Sequence, residues 1–275
     1  MKPLSHLSAI VVKYDAFLLD LWGVVHDGTQ LYPGVSDVLQ RLRGAGKKII
    51  FLSNASMRVH KVEALLARLG IASAWYDEVV TSGETGRRWL ESSGSPWGKC
   101  YYYIGSDVSV DVLAGLDFER TESMAKANFL LTAGFGEETT TARFQGVLAA
   151  AAQYRVPMLC LNPDLEIVKI TGERFLCPGA LAADYQRMGG EVKFFGKPYP
   201  DVYRYCLARF TPTPQARVLA VGDGIVTDIA GAVTMGIDAM LVTGGILKGK
   251  TVEEAERLCK AQHAEPAYII PQLVW

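Results

Sequence analysis

Ala16-Phe17-Leu18-Leu19-Asp20-Leu21-Trp22-Gly23 is the stretch on which the fold turns. Four apolar residues without a polar interruption have the length and character of a strand buried on both faces, as in a parallel sheet. The run stops at a carboxylate, and a glycine follows soon after. Asp20 is thereby placed at the mouth of a buried strand, with a turn just beyond it. Further along, Asp27-Gly28 lies between apolar residues of the segment 24–31, the signal of a short hairpin. Pro33-Gly34 then opens a helix whose apolar face uses Val35, Val38, Leu39 and Leu42, until Gly44 and Gly46 stop it. Residues 48–52 read as a second strand, ending at Ser53-Asn54. Residues 59–69 read as a second helix, with Leu65, Leu66 and Leu69 inward.

The same alternation of short apolar runs and amphipathic stretches continues almost throughout, which predicts βαβ units and a mainly parallel sheet. Past Val79-Val80-Thr81-Ser82-Gly83 a second α/β rhythm begins. Its strands are expected at 101–104, 128–132 and 157–161, with a helix at 144–154, and it closes at 181–188. The first rhythm is expected to resume with strands at 192–195, 217–221 and 238–242. The reading is therefore an α/β fold in which a core of residues 1–83 and 189–275 carries an inserted α/β domain at 84–188.

Composition narrows the function. Among 275 residues, 28 Lys and Arg against 29 Asp and Glu leave a formal net charge of -1. No basic tract stands out, which speaks against nucleic acid or an acidic membrane as partner. Lys13 and Asp15 break the apolar stretch a signal peptide would need, and no segment matches the roughly 20 apolar residues of a membrane span. The five cysteines (Cys100, Cys160, Cys177, Cys206, Cys259) are odd in number and form no CxxC pair, as expected of reduced thiols in a cytoplasm.

Four expected core strands end in polar residues of one chemical kind: Asp20, Ser53, Lys197 after Phe194-Phe195-Gly196, and Asp223 after 218–222. Ligands of open parallel sheets bind beyond the carboxyl ends of the strands, so these side chains should converge. Asp228 follows within Gly222-Asp223-Gly224-Ile225-Val226-Thr227-Asp228. Aspartates suit Mg²⁺, a hard cation that shares its oxygens with phosphate. Lys197 can balance charge on a phosphoryl group, Ser53 and nearby N–H groups can hold its oxygens, and Asp20 can attack phosphorus. Taken singly, each motif is an ordinary turn or cap signal; four in order, each after a strand, are not. No GxxxxGK or GxGxxG accompanies them, so nucleotide-loop folds lose support.

In that order the four segments resemble the haloacid dehalogenase-like superfamily, and the long insertion resembles the cap of its class IIA, the NagD-like phosphatase branch. Asn162-Pro163-Asp164, Cys177-Pro178-Gly179-Ala180 and Gly244-Gly245 are similar to that branch as well. The resemblance implies a Rossmann-like core, a cap that chooses the substrate, and a phosphatase of small phosphorylated metabolites working through an aspartyl-phosphate. It implies Asp20, Ser53 and Lys197 as catalytic residues and Ser53, Asn54 and Lys197 as phosphate ligands. Mg²⁺ would be held by Asp20, the Trp22 backbone carbonyl and Asp223, with Asp228 in the outer shell. Dimerisation through the cap is also within what it implies.

Trp22 is the departure. Members with phosphatase activity carry there an Asp that protonates the leaving oxygen, and an indole cannot. General acid–base help is worth roughly 10²–10⁴-fold, so alkyl phosphates should suffer most and aryl or acyl phosphates least. His26 or Asp27, on the expected hairpin, are the candidates to substitute. Two other functions compete: a binding or regulatory protein that has lost turnover, and a dehalogenase using the same Asp without metal. Against the dehalogenase, only a hairpin and one helix fit between Asp20 and Ser53, where dehalogenase caps sit. Asp107 and Asp164 are the acidic candidates in the cap, although Asn162-Pro163-Asp164 is also a plain turn signal; Tyr101 to Tyr103 read as strand packing.

Overall fold

The computed structural model describes residues 1–275. Its first sheet is built from β1 (Lys2–Pro3), β2 (Ala16–Leu19), β3 (Lys48–Ser53) and β4 (Glu78–Thr81), with helices α1 (Val35–Gly44), α2 (Val59–Arg68) and α3 (Ser82–Ser93) following β2, β3 and β4. A second group comprises β5 (Cys100–Gly105), β6 (Glu119–Thr121), β7 (Phe129–Ala133), α4 (Gln145–Tyr154), β8 (Met158–Cys160), β9 (Glu166–Val168), β10 (Arg174–Leu176), α5 (Pro178–Arg187) and β11 (Val192–Phe194). The chain then returns through α6 (Pro200–Arg209), β12 (Val218–Gly222), α7 (Ala230–Thr234), β13 (Asp238–Val242), α8 (Val252–Ala261) and β14 (Tyr268–Ile270).

Three sheets result. The core sheet has seven strands in the order β1-β14-β13-β12-β2-β3-β4, parallel at every pairing. A five-stranded sheet, β11-β8-β7-β5-β6, is also wholly parallel, and β9 with β10 form a separate antiparallel ribbon. Alternation along the core strands explains the layering. Phe17, Leu19, Ile49, Phe51, Leu219 and Val221 face one cluster with the apolar stripe of α1, while Ala16, Leu18, Ile50, Leu52, Val218 and Ala220 face another with α6 and α8. Burying one such Leu or Phe contributes roughly 1.5–3 kcal/mol, which is why strands buried on both faces sit at the centre of the sheet. Tyr101 and Tyr103 pack within the second sheet's own cluster, Tyr101 stacking on Phe129 at 5.9 Å.

One expectation is corrected. Residues 192–195 were assigned to the core, but Val192–Phe194 pairs with Met158–Cys160 in the five-stranded sheet. The second sheet therefore runs past the expected junction at 188, and Lys197 enters the site from a strand of the inserted unit. A three-residue strand that would fit either sheet carries no address in its side chains; the partner is set by where α5 delivers the chain. The hairpin expected at 24–31 is present but short: Tyr32 N donates to Val25 O at 3.0 Å and Asp27 N to Gln30 O at 3.1 Å around a single His26–Leu31 bridge. Asp27 Oδ1 accepts the amides of Thr29 and Gln30, both at 2.9 Å, and so fixes the turn of this hairpin. Between β2 and β3 lies α1 alone, leaving no room there for a cap domain. No helix is long and apolar enough to cross a membrane.

Candidate active site

β2 pairs with β12 on one side and β3 on the other, so the carboxyl ends of all three open side by side. The chain winds away from β2 in both directions, and such a switch point is where open α/β sheets form a crevice. Asp20 stands at the end of β2, Ser53 closes β3, and Asp223 follows β12. One wide helical turn, with Ile229 N–H donating to Gly224 O at 3.1 Å, brings Asp228 round to the same place. Oxygens of Asp20, Asp223 and Asp228 lie within 4.8 Å of one another, and all three residues are buried. Lys197 Nζ sits between two of them, 2.6 Å from Asp20 Oδ1 and 2.7 Å from Asp228 Oδ1, with the lysine only 2% exposed.

Glycine makes this crowding feasible. Gly23 adopts φ +83°, and a Cβ there would stand 1.9 Å from Asp223 Oδ2; a Cβ on Gly245 would stand 2.0 Å from the same oxygen. The Gly244-Gly245 pair thus lets the loop after β13 close on Asp223, whose Oδ2 accepts the Ile246 N–H at 2.7 Å.

Three carboxylates and one ammonium leave the cluster short of positive charge, and the titration of its members reflects this. Burial, then repulsion from Asp228, pushes Asp20 well above the usual carboxylate range against the pull of Lys197. The same two causes raise Asp223 to about 7, the Ile246 amide opposing them. Burial alone would lower the Lys197 ammonium, but Asp20 and Asp228 beside it hold it above its ordinary value. An all-oxygen set that resists ionising together is what a divalent hard cation would relieve, so the residues fit Mg²⁺.

The Asn54 side chain is engaged within the protein. Its Nδ2 donates to Lys197 O (3.1 Å) and Asp164 Oδ1 (2.9 Å), while Oδ1 accepts from Lys197 N (2.7 Å). Both amide hydrogens are committed within the protein, so this side chain aims Lys197 and is not free to donate to phosphate. Ser53, which lines the cleft with its hydroxyl accepting only from Ala55 N at 3.2 Å, remains available.

The five-stranded sheet and its ribbon cover a cleft of about 1020 Å³ that holds Asp20, Ser53, Asp223 and Asp228 at its floor. Of the two acidic cap candidates, Asp164 lines it and Asp107 does not. Asp164 is fixed by its own turn, its N–H donating to Asn162 Oδ1 at 2.9 Å. Gly179, at the start of α5, packs so tightly behind that turn that a Cβ would lie 2.2 Å from Pro163 O, which gives Cys177-Pro178-Gly179 a structural reason. Burial lifts Asp164 to about 6, against the pull of Lys197 and the Asn54 bond.

Neither His26 nor Asp27, the candidates expected to act as acid in place of position 22, is suited to the task. Asp27 accepts from Thr29, Gln30 and, through Oδ2, Ile170 N at 3.2 Å; burial would raise it, but these bonds bring it below the ordinary range. His26 Nδ1 accepts the Gly28 N–H, Nε2 is buried without a partner, and burial depresses the ring to about 4. Trp22 itself is turned to the cap, Nε1–H donating to Val168 O at 3.0 Å. Sequence reasoning missed this contact and the β9–β10 ribbon that receives it, because three-residue strands leave almost no periodicity to read.

Comparison with known proteins bears on the family and the fold. A family model for haloacid dehalogenase-like hydrolases matches residues 17–119, and a second, HAD-hydrolase-like, matches residues 194–275. Mouse (Mus musculus) chronophin is 28% identical over 279 residues, covering 97% of this chain and 93% of that protein. D-glycerol 3-phosphate phosphatase of Mycobacterium tuberculosis is 28% identical over 251 residues, covering 87% of this chain and 66% of that protein. A crystal structure of a haloacid dehalogenase-like hydrolase from Brucella suis superimposes with a TM-score of 0.86 at 28% identity, covering 98% of this chain and all of that one. The chain belongs to the haloacid dehalogenase-like hydrolases, in their class IIA phosphatase branch.

Proposed function

We propose that this hydrolase is a Mg²⁺-dependent phosphatase of small phosphorylated metabolites that works through an aspartyl-phosphate on Asp20. The observation that carries the reading is the Asp20 carboxylate held 2.6 Å from a buried Lys197 beside two further carboxylates. Asp20, the Trp22 backbone carbonyl and Asp223 would hold Mg²⁺, with Asp228 outside them, and the ion when bound would offset charge on the carboxylates and the phosphoryl oxygens. Asp20 attacks phosphorus as the ester oxygen departs, and water then cleaves the acyl phosphate to return the free carboxylate. Lys197, kept charged by its two aspartates and aimed by Asn54, stays beside the transferring group throughout. Its relatives named above include a phosphatase of glycerol 3-phosphate. The five free cysteines fit a reducing cytoplasm as the place of work.

Nothing on the Trp22 side chain can protonate the departing oxygen, so turnover depends on the leaving group. Alkyl phosphates should be slow, and aryl and acyl phosphates comparatively fast. The test is phosphate release from a phosphometabolite panel with Mg²⁺, with Asp20→Asn as the blank and Trp22→Asp as the restored acid. Trp22→Asp should raise kcat on alkyl phosphates by about 10²-fold or more, the lower end of what general acids supply. A folded Trp22→Asp enzyme with unchanged or lower kcat would defeat the leaving-group account. Trp22 also favours a second reading, a metabolite-binding regulator. Calorimetry decides between them: tight binding of a phosphorylated metabolite with no release of phosphate identifies the regulator.

A further inference from the structure

The side chain that replaces a carboxylate at position 22 has a partner of its own. Its ring lies on Gly28, where a Cβ would stand 2.6 Å from the indole and where φ is +88°, and it meets the His26 ring edge-on at 5.9 Å. Packed in that slot, Nε1–H reaches across to Val168 O at 3.0 Å. Two further bonds from the core, one from the same loop and one from a second segment, hold Ile170 close by. Asp27 Oδ2 accepts from Ile170 N at 3.2 Å, and Lys248 Nζ, from the loop after β13, donates to Ile170 O at 2.6 Å.

All three ties land on the turn-side end of the β9–β10 ribbon. The ribbon pairs with no other strand, and two short strands alone are marginal in water. Its position over the cleft therefore depends on what grips it. Its charges are largely matched among themselves and with a near neighbour: Arg174 pairs with Glu166, and Lys169 with Glu137 at 2.8 Å. Glu166, Lys169 and Arg174 line the cleft too, but as members of these pairs, and the unpaired side chains beside them are apolar. Leu165 is 53% exposed, Ile167 is half-buried, and across the cleft Val226 is 47% exposed; all three line it. Large apolar side chains left open at the rim of a concave site mark where a ligand's apolar body lies.

We infer that Trp22 is a specificity-determining positioning residue, which docks the Glu166–Leu176 ribbon over the cleft through Val168 and thereby presents an apolar wall that selects aryl phosphate monoesters. The inference rests on the phosphatase reading above and names its substrate class. One substitution then has two matched consequences. The protein gives up the acid that an alkoxide leaving group needs, and it gains a surface for leaving groups that do not need one.

The experiment uses the full chain with Mg²⁺ and compares Trp22→Phe, which keeps the ring and the backbone carbonyl but loses the donor, with Lys248→Met. Substrates are 1-naphthyl phosphate, phenyl phosphate and glycerol 3-phosphate. Wild type should prefer 1-naphthyl phosphate over glycerol 3-phosphate in kcat/KM by at least about 10²-fold, the lower end of what a general acid is worth. Each variant should raise KM for 1-naphthyl phosphate by about threefold to tenfold, the worth of one hydrogen bond, with kcat changed by less than KM. Amide exchange followed by mass spectrometry should quicken in residues 166–176 of both variants and stay as in wild type in β7 and β8. Unmoved KM and unmoved exchange in both variants would overturn the docking role. Equal turnover of glycerol 3-phosphate and 1-naphthyl phosphate by wild type would overturn the substrate class while leaving the phosphatase reading intact. No phosphate release from any substrate, with no phosphorylation of Asp20, would remove that reading and this inference together.

Discussion

Raising the pH of the metal-free protein should destabilise it, and Mg²⁺ should reverse the loss. With every group ionised, three aspartates and Lys197 leave two uncompensated negative charges in a buried pocket. At the 4.8 Å limit of their separation, two carboxylates repel by roughly 3.5 kcal/mol with an effective dielectric constant of 20. The displacement of Asp223 from 3.8 to about 7, caused first by burial and then by Asp228, corresponds to roughly 4 kcal/mol. Because the folded pKa is the raised one, this stability is fully present below the unfolded value of 3.8 and is lost as pH climbs through about 7. Mg²⁺ at about a hundred times its Kd would return roughly 2.7 kcal/mol, or about 5–10 °C in Tm for a chain of this size. Thermal unfolding from about pH 4 to about pH 8, in EDTA and in saturating MgCl₂, reads both effects. Asp223→Asn should flatten the pH slope and shrink the Mg²⁺ response. A Tm independent of pH in EDTA, or an equal Mg²⁺ response in Asp223→Asn, would refute the charge argument.

Two further outcomes follow from close contacts. Gly28→Ala should cost roughly 2–4 kcal/mol by equilibrium unfolding, since it combines a left-handed backbone with a Cβ driven against an indole pinned by Val168; a cost below about 0.5 kcal/mol would show that the indole is not fixed there. Asp164→Asn keeps an acceptor for the Asn54 amide and removes a charge whose folded pKa is raised to about 6. It should therefore raise Tm above pH 6 and leave it unchanged near pH 4, and a Tm lowered equally at both pH values would count against it.

Much of this was readable from residue order, for a definite reason. A strand buried on both faces must be an unbroken apolar run, and a ligand site beyond its carboxyl end must begin at the next polar residue. Asp20, Ser53 and Asp223 obey both constraints, and all three stand where the runs 16–19, 48–52 and 218–222 stop. The helix 35–44 was equally legible, because its apolar positions recur at helical spacing and the same four are buried.

Other features are decided by contacts between residues far apart in the chain. Val192–Phe194 could have extended either sheet, and only its pairing with β8 places Lys197 on a segment leaving the inserted unit. Nothing near Asn54 in the sequence shows that its side-chain amide spans Lys197 and Asp164, partners more than a hundred positions away. For Trp22, residue type alone says that the side chain cannot donate a proton as a carboxylic acid would. That its indole donates to Val168, 146 positions along, depends on where the ribbon lies over the cleft, and a hydrogen bond between loops leaves no period or spacing in the sequence.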